Sequence, residues 1–142
     1  MSQSFRFFSS DETIVFAQQF ASRLQPNDIV LLSGDLGGGK TTFTKGLAQG
    51  LGSLELIQSP TYVYLQIYEG RLPIFHFDLY RFRSSADFLS MGFEECFSKG
   101  GISIIEWPER IEDLLPAHSW HIHFQAVAAD ERVVSVSHWK AP

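Results

Sequence analysis

Apolar residues recur along this chain at two spacings, and the switches between them predict its elements. Phe16, Phe20 and Leu24, with Ala17 and Ala21 beside them, fall three and four residues apart, as the buried stripe of one helix does. Ser9-x-x-Glu12 stands just before that stripe as a capping box, whose side chains satisfy the free N–H groups of a helix start. Pro26 lies just past the predicted helix end, and Phe5 to Phe8 reads as a short strand before it. Ile29 to Leu32 is a continuous apolar run, too short for a helix and too apolar for a half-exposed strand, so a buried parallel strand is expected. Thr42, Phe43, Leu47 and Leu51 then return to helical spacing, with Gly50 and Gly52 as the stop.

The second half reads mainly as strands. Thr61 to Tyr68 and Leu72 to Asp78 are rich in β-branched and aromatic residues around Glu69-Gly70-Arg71, which predicts a hairpin. Ser84 and Ser85 offer caps for a helix holding Phe88, Leu89 and Met91, and Gly100-Gly101 introduces a second buried run, Ile102 to Ile105, soon followed by Pro108. Trp120 to Val127 and Arg132 to His138 alternate in polarity around Ala129-Asp130-Glu131, a second hairpin. No repeat, low-complexity tract or linker interrupts the pattern, and the order of the strands does not follow from it.

Between the first buried run and the helix after it lies Gly34-Asp35-Leu36-Gly37-Gly38-Gly39-Lys40-Thr41. Phosphates need many N–H donors at close range, and glycines let the backbone approach without Cβ collisions. Gly37, Gly38 and Gly39 supply that freedom, the helix start adds its dipole, Lys40 reaches the β- and γ-phosphates, and the Thr41 hydroxyl ligates Mg2+. By chance these fixed positions recur in a chain of this length about 1% of the time at average residue usage. Strand, loop and helix together predict an α/β, P-loop NTPase-like three-layer fold with a mixed, partly parallel sheet and hairpins.

Such a site also needs an acid at the end of a neighbouring strand. Glu106, after the more completely apolar run, is assigned to the Mg2+ shell, and Asp78 to orienting or deprotonating the attacking water; the residues alone also admit the reverse. Ser59-Pro60-Thr61 reads equally as a segment sensing the γ-phosphate and as a turn restricted by proline. Tyr80, Arg81 and Arg83 follow Asp78 either as solvated surface or as charge for the transition state or a partner, and Trp107 reads as core or cover. His121 and His123 share a strand face without a third ligand, so they read as strand residues. There is no Asn-Lys-x-Asp guanine reader, which favours ATP over GTP; the alternatives to an ATPase are a nucleotide-sensing module that binds ATP without productive hydrolysis and a metabolite kinase, which would need a lid and acceptor pocket that this length hardly accommodates.

Composition narrows the setting. The length of 142 residues, with 44% apolar content and 13 phenylalanines, suits a single domain spanning residues 1–142. A formal charge of -5 disfavours a surface that grips nucleic acid by itself. One cysteine, Cys96, no apolar leader and no apolar stretch of about 20 residues fit a cytoplasmic protein with no membrane association.

Gly-Asp-Leu-Gly-Gly-Gly-Lys40-Thr41-Thr42-Phe43, Ser59-Pro60-Thr61-Tyr62, His76-Phe77-Asp78-Leu79-Tyr80-Arg81 and Ile105-Glu106-Trp107-Pro108, in that order, resemble the TsaE family, the bacterial ATPases of tRNA threonylcarbamoyladenosine biosynthesis. The resemblance covers nearly the whole chain. It implies an ATPase needed for the threonylcarbamoyl modification of adenosine 37 in tRNAs reading ANN codons. It also implies a TsaD-type transferase, which performs the group transfer, and a TsaB-type scaffold as partners, with tRNA contacted only through the complex. By position it implies that Leu36 to Thr41, with Thr42 beside them, hold the phosphates, that Thr41 and Glu106 hold Mg2+, and that Asp78 serves hydrolysis. Part of the nucleotide would lie near Glu12 and Thr13 and near the loop between the last two strands. That loop, Ala128 to Arg132, matches no family motif, and Arg132 receives no role; Gly38 stands where alanine is common in the family.

Overall fold

The computed structural model describes residues 2–34, 39–55, 57, 64–117 and 119–138. Its strands are β1 (Gln3–Phe7), β2 (Ile29–Gly34), β3 (Leu65–Tyr68), β4 (Ile74–Asp78), β5 (Ile102–Glu106), β6 (Trp120–Ala126) and β7 (Arg132–His138). Its helices are α1 (Ser10–Ala21), α2 (Lys40–Gly50) and the short α3 (Ser85–Ser90), with 3-10 turns at Phe93–Ser98 and Pro108–Leu114. The strands form one sheet in the order β1-β7-β6-β2-β5-β4-β3. β2 runs parallel to both β5 and β6, and β4 runs parallel to β5. The outer pairs β3–β4, β6–β7 and β1–β7 are antiparallel, so the sheet is mixed and carries both predicted hairpins.

Alternation along the central strands sends side chains into two cores. Val30, Leu32, Ile74, Ile102 and Ile104 face α1 and α2, while Ile29, Leu31, Phe75, Phe77 and Ile105 face α3 and the 3-10 turns. Phe43 of α2 is fully buried and lies 6.2, 6.1 and 5.6 Å from the rings of Phe16, Phe20 and Phe124, so one side chain joins both helices to the sheet. Burying a side chain of that size stabilises the fold by roughly 1.5–3 kcal/mol. α1 and α2 meet through small residues: a Cβ on Gly46 would stand 2.8 Å from the Ala17 Cβ, and one on Gly50 2.7 Å from the Ala21 Cβ. The third layer covers β2, β5, β4 and, through Leu65, β3. Beyond it, the same sheet face presents His121, His123, Ser135 and Ser137, half-buried or exposed.

Boundaries differ from the sequence reading for local reasons. Leu24 is buried but lies past α1, in a turn where its N–H reaches the Ala21 carbonyl at 3.2 Å. β4 begins at Ile74, not Leu72, because Pro73 has no N–H to donate and gives only its carbonyl to Ile102. α3 stops at Ser90 before the left-handed Gly92, which leaves Leu89 and Met91 exposed and Phe88 alone of the three buried. Of the predicted strand Thr61 to Tyr68, residues 61–63 lie outside the described residues. Among those described, no helix is long and apolar enough to cross a membrane.

Candidate functional site

β2 ends in a residue that has to be glycine. Gly34 has φ of 120°, and a Cβ there would fall 2.0 Å from the Phe124 carbonyl oxygen of the adjacent β6. The chain therefore leaves the sheet pressed against a neighbouring strand, which no side chain permits. Leu36, Gly37 and Gly38, expected to cradle phosphates, and Ser59-Pro60-Thr61, weighed as a γ-phosphate sensor, lie outside the described residues. Gly39, again left-handed with φ of 108°, is the N-cap of α2. It has no side chain to cap the first N–H groups of that helix, and no side chain among the described residues does so; these groups and the positive end of the helix dipole stand at the helix start.

They face a cavity of about 820 Å³ at the carboxyl ends of the parallel strands. In an open α/β sheet that is where ligands collect, between strands whose connections leave in opposite directions. Gly39, Lys40, Thr41 and Thr42 line it from α2, Ser9, Ser10 and Thr13 from the start of α1, Asp78 and Tyr80 from the end of β4, and Glu106 and Trp107 from the end of β5. Asp130 and Arg132 complete the wall from the β6–β7 turn.

Lys40 is buried, 8% exposed, and its ammonium donates to the Gly34 carbonyl at 3.3 Å while lying 5.3 Å from the Trp107 ring centroid. An oxygen dipole and an aromatic face thus replace the water a lysine normally keeps. Trp107 takes this place because its own backbone is left-handed, with φ of 62°, so the chain bends immediately after Glu106. The ring also lies 5.0 Å from Tyr80. Trp107 is therefore the cover the sequence suggested, laid over the lysine.

Asp78 and Glu106 are directly opposite in the parallel register of β4 and β5, so both carboxylates leave the same face at the same level. Their settings differ. Asp78 is half-buried and its Oδ1 accepts the Tyr80 N–H at 3.0 Å. Burial raises its pKa above the ordinary carboxylate value; the Tyr80 N–H lowers it, Glu106 raises it further, and His76 and Lys40 lower it. Glu106 is 7% exposed, and its Oε2 accepts the Nε2–H of His76 at 2.8 Å.

The structure thus brings Lys40, Thr41, Thr42, Thr13, Asp78 and Glu106 to one cavity. It does not bring Glu12: that carboxylate accepts the Phe8 N–H at 2.9 Å while the Glu12 N–H donates to Ser9 Oγ at 3.2 Å, so the residue is spent on capping α1. Ser9 and Ser10 stand on the wall in its stead. Sequence reasoning missed Ser10 and His76; the resemblance pointed to the loop that carries Asp130 and Arg132 but gave neither residue a role. Arg132 braces its own turn by donating from Nη1 to the carbonyls of Ala128 at 2.9 Å and Glu131 at 3.0 Å. His76 did carry a signal, as the polar member of an otherwise apolar set, Ile74 and Ile104 beside it on one sheet face. Arg81 and Arg83 do not line the cavity; the Arg83 N–H caps toward Asp87 at 2.9 Å. His121 and His123 lie away from it as well, with Ser33 Oγ between them at 2.7 and 2.9 Å.

The family described as threonylcarbamoyl adenosine biosynthesis protein TsaE matches residues 7–134. Proteins named tRNA threonylcarbamoyladenosine biosynthesis protein TsaE are similar over most of their length. The one from Treponema pallidum is 39% identical over 129 residues, 91% of this chain and 96% of that protein. The one from Bacillus subtilis is 37% identical over 131 residues, 92% of this chain and 82% of the other. The crystal structure of YdiB from Bacillus subtilis superposes with a TM-score of 0.81 at 34% identity, covering 97% of this chain and 86% of that one. The chain belongs to the TsaE family.

Proposed function

We propose that this chain hydrolyses ATP in support of the threonylcarbamoyl modification of adenosine 37 in tRNAs reading ANN codons, acting with a TsaD-type transferase and a TsaB-type scaffold. The observation that carries the reading is the convergence of a buried lysine, a helix start and two carboxylates on one cavity. Phosphates laid against the N-terminus of α2 would meet its free N–H groups and the Lys40 ammonium. The donor set fits Mg2+, since the Thr41 hydroxyl and the Glu106 carboxylate are hard oxygen ligands beside a place for phosphate oxygens. When bound, Mg2+ supplies charge neutralisation along the phosphates.

Asp78 then faces the reaction as a base. Its raised pKa suits accepting a proton from water as the water oxygen bonds to the γ-phosphorus, the bond from that phosphorus to the bridging oxygen breaks, and ADP leaves. The acidic chain would leave the RNA-gripping charge to its partners. Lys40→Ala is expected to lower phosphate release by the assembled complex at least roughly 100-fold, as loss of a single charge-stabilising donor commonly does. Undiminished hydrolysis in that variant rejects the site. Asp78→Ala should keep nucleotide binding and lose turnover; loss of Mg2+ dependence instead would exchange the roles of the two acids.

A further inference from the structure

His76 is the polar exception in the core beneath the cavity. It sits in β4 opposite Ile104 of β5, follows Ile74 on the same face, and has the Tyr68 ring at a centroid distance of 6.4 Å. At 1% exposure, a leucine or phenylalanine there would face apolar neighbours on these three sides, with Gln66 of β3 opposite on the fourth. Among the described residues the imidazole makes one hydrogen bond, Nε2 to Glu106 Oε2 at 2.8 Å, and its Nδ1 has no hydrogen-bond partner. A carboxylate only accepts, so Nε2 carries the hydrogen. A buried ring with one of its two nitrogens unsatisfied is costly to the fold, and among the described residues the bond to Glu106 is the hydrogen bond that offsets it.

We propose that His76 is a positioning residue that fixes the Glu106 carboxylate for the cation: by holding Oε2 from below, it presents Oε1 to the cavity. This rests on the reading of Glu106 as a Mg2+ ligand. Carboxylate ligands are themselves commonly hydrogen-bonded by neighbouring groups, and losing such a group weakens metal affinity roughly 10–100-fold. The parallel register explains how one strand serves the other: Asp78 stands opposite Glu106, so His76, two residues earlier on the same face and opposite Ile104, lies diagonally below the glutamate, within hydrogen-bond reach of its carboxylate.

The test is an electron paramagnetic resonance titration of Mn2+ into the protein–ADP complex of the wild type, His76→Phe, His76→Gln and Glu106→Ala, with ADP affinity in EDTA measured alongside. His76→Phe is expected to weaken Mn2+ roughly 10–100-fold, His76→Gln, which keeps a donor, to recover part of that loss, and ADP affinity in EDTA to stay at the wild-type value in both. Should His76→Phe fail to fold, His76→Asn, whose amide is too short to reach Oε2, takes its place. Wild-type Mn2+ affinity without the imidazole, when Glu106→Ala has lost it, overturns the positioning role and leaves Glu106 as ligand. Unchanged Mn2+ affinity in Glu106→Ala removes the ligand and the positioning role together.

Discussion

The two faces of the sheet are built differently. One is covered by two helices of 12 and 11 residues in backbone contact, and every cavity-lining group on a helix comes from their first turns. The other is covered by a six-residue helix and two 3-10 turns, held by aromatic rings: Phe88 lies 5.4 Å from Phe77 and 5.6 Å from both Phe93 and Phe97. Asp78, Glu106 and His76 all project toward the helical face. Chemistry is thus concentrated where the backbone is regular, and the aromatic face supports the strands from behind.

That division makes predictions. The largest effect is expected on the aromatic face, where Phe88→Ala should cost about 3–5 kcal/mol in denaturant unfolding yet leave the nucleotide affinity of the folded protein unchanged. A matching loss of affinity would show that the supporting face tunes the site. On the helical face, Gly46→Ala drives a Cβ to 2.7 Å from the Ile14 carbonyl oxygen. It should cost about 1–3 kcal/mol and, unlike Phe88→Ala, weaken nucleotide binding in calorimetry. Ser9→Ala removes the α1 cap, for about 1 kcal/mol in thermal unfolding, and a wall residue with it, so affinity should fall as well.

The smallest effect concerns Asp78. Its folded-state pKa lies above the unfolded value, so between the two the native state binds more protons and stability declines as pH rises through that window. Asp78→Asn should abolish this decline, which unfolding midpoints measured across the acidic range will show. An identical pH slope in wild type and variant would mean that burial does not act on this carboxyl.

Much of this was legible in the sequence because the signals are local. A glycine loop between an apolar run and a helix, and acids at the ends of two apolar runs, identify Lys40, Thr41, Asp78 and Glu106 without any knowledge of strand order. Asp130 and Arg132 could not be found that way: their turn reaches the cavity only because β6 pairs with β2, a partnership set by distant residues. The 3-10 turns also escaped: Phe93 and Phe97 are four residues apart, but in a segment too short for the spacing to repeat, and tertiary packing fixes the shape of both turns. Glu12 was overread: the capping box that revealed α1 is itself what occupies that carboxylate.

The small-residue seam between α1 and α2 has a mechanical consequence. With Ala17 and Ala21 against Gly46 and Gly50, no layer of side chains separates the two backbones to act as a cushion, and Gln18 donates to Gln49 across the seam at 2.8 Å. The helices therefore form one stiff block, and Ser9, Ser10 and Thr13 keep a set distance from Lys40, Thr41 and Thr42. The seam thus acts as a spacer that sets the width of the cavity between the start of α1 and the start of α2.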